Sequence, residues 1–388
     1  MRGITSRAVR WAYAATVLIF LASLAQYHHR NTGFTSLIWF GDAFEDTRLP
    51  AVLDAPHYVH YQSPGYDGQH YAQLAVEPLL REPRLNRALD AAPYRARRIL
   101  FSWTAYLLGL GRPAWIIKAY ALQNIIAWLL LAWVLLRWFP PSAPRNLVPW
   151  AGCLFGVGLI MSVRFALTEG PALLLLALAV AAMERGRPWL ASGLAALVGL
   201  GRETNLVSGL LLLDRVPRRW RDALSLAARG LVAVLPFAAW FLYVRWVFPP
   251  LPVSDAANFA PPFSGYLSKW SVTVGQLQAA GWWGSWARFN LAALISVTVQ
   301  AGFLLSRREW ASPWWRAGVV YCALMPLLSY PVWEGDPGAV MRVVLPMSVA
   351  FNVLVVRSRW FWPLVVLGNL TVLHGIHMIN VPWLATLL

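Results

Sequence analysis

Runs of apolar residues near the length of a bilayer crossing alternate with short polar breaks along most of the chain. Spans are predicted at 11–27, 114–138, 147–163, 171–183, 226–247, 287–305, 315–332, 343–356 and 360–379. The stretch 189–213 carries arginines at both ends, so one crossing would break the positive-inside bias. Two short helices turning at Gly201, Arg202, Glu203, Thr204 and Asn205 satisfy it, which brings the count to about eleven. The run 99–111 has 13 residues, roughly 20 Å as a helix, and reads as interfacial or re-entrant. The predicted fold class is all-α: one polytopic transmembrane domain over 1–388, with a large first loop over 28–113 that carries interfacial helices.

Composition removes the other classes. Residues AVILMFWYC make up 58% of the 388 positions and DEKR only 13%, about half the charged share of a soluble domain. The net charge of +16 does not indicate nucleic acid. The basic residues are nearly all arginines that punctuate apolar runs, as the positive-inside bias and anionic headgroups demand. Many of the 23 tryptophans stand at run ends, among them Trp138, Trp150, Trp189, Trp220, Trp310 and Trp360. Cys153 and Cys322 lie within apolar runs and support neither a disulfide framework nor a CxxC metal site. The first span lacks a small-residue cleavage site and reads as retained.

Arg2, Arg7 and Arg10 hold the N-terminus in the cytoplasm, so the first loop lies outside. The polar clusters then gather on the outer face, while cytoplasmic turns are short and basic. Neither a Walker loop nor a GxGxxG after a strand is present, so chemistry belongs at the outer membrane–water boundary.

The densest cluster runs from Ser63 to Ala75. Pro64, Gly65 and Gly68 place Asp67 at a turn or helix start, with His70 one turn on. A plain helix cap is the structural alternative, while an Asp–His pair can deprotonate a hydroxyl or hold a divalent metal. The segment Tyr66-Asp67-Gly68-Gln69-His70-Tyr71, in a long outer loop after the first span, resembles the Trp-Asp-Gly-x-His-Tyr type segment of GPI mannosyltransferase II and related bacterial membrane proteins. These belong to the GT-C superfamily of multispanning glycosyltransferases; Tyr66 stands where that family has Trp. The resemblance implies an inverting transfer from a polyprenyl-phosphate sugar donor to a glycan, lipid or protein acceptor. It puts the general base at Asp67, with Tyr66, Gln69 and His70 beside the substrate.

Other clusters supply further candidates. Asp42, in Gly41-Asp42-Ala43-Phe44-Glu45-Asp46, rivals Asp67 as the base, and the two acids are alternatively ligands to magnesium or manganese. Arg95, Arg97 and Arg98 begin the interfacial helix on the outer side, where guanidinium suits a lipid-linked phosphate. Glu169, with Arg164 before it, and the pair Arg202 and Glu203 interrupt apolar stretches; ionisable groups there line a cavity and find partners. Glu334, Asp336 and Arg342 form a late outer turn, with Arg342 a further phosphate contact. His374 and His377 lack a third metal ligand and read as packed side chains. The expected site is a bacterial inner membrane; a transporter or flippase of lipid-linked sugar, or a non-catalytic assembly protein on the same scaffold, are the rival readings.

Overall fold

The structure is a computed structural model and describes residues 6–214, 216–248, 255–282 and 286–380. The described residues are mostly helical, with one two-residue parallel strand pair among them, Phe40–Gly41 against Val59–His60. Among the described residues four helices are long and apolar enough to cross a membrane: Arg7–Ala25, Pro113–Leu135, Trp220–Val247 and Ala287–Ser306. Two bent pairs, Pro144–Phe155 with Val157–Arg164 (46°) and Phe361–Gly368 with Thr371–Met378 (43°), raise that number to six if each is one span.

The remaining apolar stretches form shorter helices: Glu169–Glu184, Pro188–Gly201, Pro313–Leu324 and Leu345–Val355. Proline explains where several begin, since Pro188 and Pro313 sit at N1, where the missing N–H costs nothing. Such pieces survive because they are packed inside: Leu173, Leu176, Val180, Ala317, Tyr321, Val349 and Phe351 are all buried. The Trp220–Val247 helix is the opposite case. Leu224, Leu231, Leu235, Leu242 and Trp246 face outward from it, an apolar surface that suits lipid chains rather than water.

Three parts of the sequence expectation change in detail. The break at Arg202 is present, with extended backbone there, but the second arm is a 3₁₀ run, Glu203–Leu212, rather than an α-helix. Tyr321 clamps that arm by donating to Asn205 Oδ1 (2.9 Å) and meeting Ser208 Oγ (2.9 Å), while Arg316 donates to the Leu211 carbonyl (3.0 Å). A 17-residue helix, Ser264–Ala280, occupies a stretch that hydropathy left unassigned. Its sequence mixes Ser, Lys, Thr and Gln with apolar residues, so no apolar run announced it. The predicted span at 315–332 divides into Pro313–Leu324, a 3₁₀ turn and Tyr330–Trp333, as Pro326 and Pro331 dictate.

The first loop is a folded cap. Its centre is the helix Asp67–Val76, buried from Gly68 through Ala75. Two glutamines one turn apart tie the cap together. Gln69 accepts from Gly41 N–H (3.2 Å) and donates to the Pro64 carbonyl (2.9 Å). Gln73 accepts from Leu49 N–H (3.0 Å) and donates to the Ala88 carbonyl (2.8 Å). Each amide satisfies both a donor and an acceptor of irregular backbone that has no ladder of its own. A Cβ at Gly68 would strike the carbonyl oxygens of Phe165 and Ile38, so only glycine lets the cap helix seat this closely on the helical body.

Candidate functional site

Asp67 is the first residue of the cap helix. Its Oδ1 accepts from Arg95 Nη2 at 2.8 Å and its Oδ2 faces Arg342 Nη1 at 3.4 Å. Arg95 is held in turn by both oxygens of Asp90, at 2.9 and 2.7 Å. Burial alone would raise the Asp67 carboxyl, but the Arg95 and Arg342 guanidiniums overcome it and hold the group well below the usual carboxylate range. The pairing thus favours the carboxylate form of Asp67.

A second knot lies alongside. Arg202 and Arg342 both donate to Glu169 Oε1, the latter at 3.2 Å, while Glu169 Oε2 is buried with no hydrogen-bond partner. Arg98 holds Glu203 through two bonds (2.8 and 2.7 Å) and also donates to the hydroxyls of Tyr71 (2.8 Å) and Tyr94 (2.7 Å). Arg202 adds a bond from Nε to Thr204 Oγ1 at 2.9 Å. Arg97 lies over the Phe241 ring at 5.2 Å.

These groups share one cavity of about 330 Å³. Its lining mixes charge and apolar surface: Asp67, Arg97, Arg98, Glu169, Arg202, Glu203 and Arg342, four cations against three carboxylates, share it with Phe259, Leu324, Leu328, Val332 and Val343. Arg342 and Val343 are neighbours on one short late helix, so both kinds of surface meet there. Arg98 has spent its donors within the wall. Arg342 has not: its two ion pairs are long, and its Nε is buried without a partner.

Several predicted residues lie elsewhere. Asp42 does not line this cavity; its carboxylate accepts from the Gln62 and Ser63 N–H groups (2.9 and 3.0 Å), which hold its pKa down. Gln69 serves the cap backbone. His70 is buried 3.7 Å from Asp90, and burial keeps its imidazole below the usual value despite that carboxylate. Tyr66 stacks on Phe165 at 4.3 Å, with the Arg342 guanidinium 5.6 Å above its ring. Glu334 and Asp336 are outside the cavity wall; Asp336 accepts from Asn290 and the neighbouring Gly335 carbonyl accepts from Lys269. Asp90, Tyr71, Tyr94 and Thr204 join the network without having been singled out. Tyr71 and Thr204 lie in the candidate segments Tyr66 to Tyr71 and Gly201 to Asn205, whereas Asp90, five residues before Arg95 among apolar neighbours, gave no local signal.

A magnesium or manganese ion shared by Asp42 and Asp67 does not fit this donor set. Asp42 is committed to loop backbone, and Asp67 is already flanked by two cations that would repel a third. Among the described residues no group of three His, Cys, Asp or Glu side chains is placed to hold a metal ion. Comparison with family models, with curated proteins and with solved structures gave no match.

Proposed function

We propose that the chain is an integral membrane glycosyltransferase of GT-C type, moving a sugar from a polyprenyl-phosphate donor to an acceptor hydroxyl at the outer face. The observation that carries this reading is the cavity in which guanidiniums and apolar side chains line one hollow. A ligand that fits it has an anionic head and an apolar tail, the chemistry of a lipid-linked phosphate. About eleven crossings are then reached by the long helices together with the shorter packed ones, which are tolerated at membrane depth because other protein shields them. The bacterial inner membrane is the setting this reading implies.

In the proposed step the donor phosphate docks against Arg342, whose Nε is unpartnered and whose two ion pairs, at 3.4 and 3.2 Å, are loose. Arg202 and Arg97 complete the charge. Drawing Arg342 onto phosphate removes one of the two cations that depress Asp67, and the carboxylate becomes a stronger base. Asp67 then accepts the acceptor's hydroxyl proton while that oxygen attacks the anomeric carbon. The bond from carbon to phosphate oxygen breaks, and the lipid phosphate leaves with the electron pair. Preorganised guanidiniums stabilise the developing charge, an effect enlarged by the low dielectric of the buried wall. Inversion at the anomeric carbon follows from a single displacement.

The test is sugar transfer from a radiolabelled polyprenyl-phosphate donor in proteoliposomes. Arg342→Gln and Asp67→Asn are each expected to lower turnover at least tenfold, about 1.4 kcal/mol of barrier. Undiminished transfer in both variants overturns the assignment.

A further inference from the structure

A second hollow, of about 400 Å³, lies on the other side of the Tyr66–Phe165 stack. Its walls are aromatic: Tyr27, Trp39, Phe165 and Trp286. At its base is Arg164, the last residue of the helix Val157–Arg164. That arginine is more than nine-tenths buried, and its Nη1 has no hydrogen-bond partner. The Tyr27 and Trp39 rings each stand 4.2 Å from its guanidinium carbon. Among the described residues no carboxylate comes within ion-pair distance of it, unlike Arg95, Arg98, Arg202 and Arg342.

Two aromatic faces, a side-chain hydrogen bond to Tyr27 and a helix C-terminus soften the cost of burying this cation, yet its Nη1 is left without an acceptor. Two neighbouring imidazoles also have unused capacity, while Asp336 beside them already accepts from Asn290. Asp336 and the imidazoles of His374 and His377 line the same hollow, and both Nδ1 atoms are buried without partners. Trp39 reaches its place over Arg164 only through a left-handed backbone, φ 60°, a conformation costly for a bulky side chain. Its ring is further fixed by stacking on His60 at 4.1 Å and by donating from Nε1 to Ser63 Oγ at 3.1 Å.

We infer that this hollow is a second binding site, for an anionic sugar whose phosphate or carboxylate pairs with Arg164 while its ring packs between the aromatic walls. The guanidinium fork supplies bidentate recognition of the anion. Flat aromatic faces suit the C–H faces of a pyranose, and Asp336 with the two histidines offers polar contacts for hydroxyls. A largely aromatic pocket with few convergent polar groups is the usual make-up of a small-molecule site. The site stands apart from the transferase reading, since its residues and its test are separate from the Asp67 cavity.

Met378 lines the hollow and is partly exposed, whereas both native cysteines are buried, so Met378→Cys in the full-length chain gives a local reporter. Its alkylation rate is measured in detergent with glucose 1-phosphate, glucuronate, glucose or inorganic phosphate. Glucose 1-phosphate and glucuronate are expected to slow labelling at least about fivefold, at concentrations where glucose and phosphate do not. Adding Arg164→Gln is expected to abolish the protection and Arg164→Lys to retain part of it; melting curves of both variants exclude misfolding as the cause. No protection by either anionic sugar, or protection undiminished in folded Arg164→Gln, overturns the site. Equal protection by inorganic phosphate removes the sugar from the proposal. None of these readings depends on sugar transfer.

Discussion

Arg342 Nη1 sits 3.4 Å from Asp67 Oδ2, although 275 residues separate the two in sequence. The cap of the first loop and a helix near the C-terminus therefore meet at the carboxylate proposed as base. The pair is long beside the 2.8 Å bond from Arg95 to the other Asp67 oxygen, so Arg95 is the closer of the two partners and, in the proposed step, the one that stays.

That difference separates the two arginines experimentally. Arg95→Gln leaves the partly buried Asp67 and the exposed Asp90 without their shared cation and is expected to destabilise the fold. Arg342→Gln is expected to cost mainly turnover. Thermal unfolding in detergent, run beside the transfer assay, checks the pattern; equal loss of melting temperature in both variants contradicts it.

The two candidate acids are also ranked by their surroundings. Asp67→Asn is expected to reduce turnover at least tenfold, about 1.4 kcal/mol. Asp42→Asn removes an acceptor for the Ser63 and Gln62 N–H groups on the cap surface and is expected to leave turnover within about threefold of the parent. A tenfold loss in Asp42→Asn would instead place the base there.

Acid should loosen the cap. Asp67 and Asp90 both titrate below their ordinary range, Asp67 because Arg95 and Arg342 outweigh burial and Asp90 because Arg95 does. A depressed carboxyl adds stability that is fully present above its unfolded pKa, about 3.9, and is lost as pH falls through the folded value. Stability is thus expected to be insensitive to these groups from pH 7 to about 5 and to decline below about 4. The decline should be shallower in Asp67→Asn, as unfolding measured between pH 3 and 7 will show.

The buried pair Arg98 and Glu203 gives the largest expected stability effect. Glu203→Ala strands a guanidinium whose side chain is 5% exposed. Losing one member of a buried pair costs about 3–5 kcal/mol. A melting temperature unchanged in Glu203→Ala would mean that Tyr71 and Tyr94 suffice to hold the cation.

Gly68→Ala tests the seat of the cap helix. The added methyl meets backbone oxygens of Phe165 and Ile38, which cannot swing aside. Overpacking of this kind costs about 1–3 kcal/mol. Turnover is expected to fall as well, because the shift moves Asp67, the adjacent residue. Unaltered stability and turnover would show that the helix is not held where the structure has it.

How much of this was legible beforehand varies from residue to residue. The apolar runs at 11–27, 114–138, 226–247 and 287–305 announced long helices because burial in lipid demands a continuous apolar stretch. Arg202 and Glu203 were conspicuous for the same reason, as charges interrupting such a stretch. The helix Ser264–Ala280 was not, since its mixed composition carries no run of either period. Gln69 looked like a substrate contact and proved to be a brace, because nothing local reveals which backbone groups an amide will satisfy.

By itself the sequence determined that the chain is mostly helical with several stretches apolar enough to cross a membrane, and that its rare charges between apolar runs must find partners. Both conclusions follow from the cost of leaving polar groups in an apolar medium, which acts residue by residue. Which charges pair was decided by tertiary structure alone. Asp67 meets Arg342, Arg98 meets Glu203 and Arg164 meets no carboxylate because distant segments pack in one particular arrangement, and pairing depends on a few ångströms that no local pattern encodes.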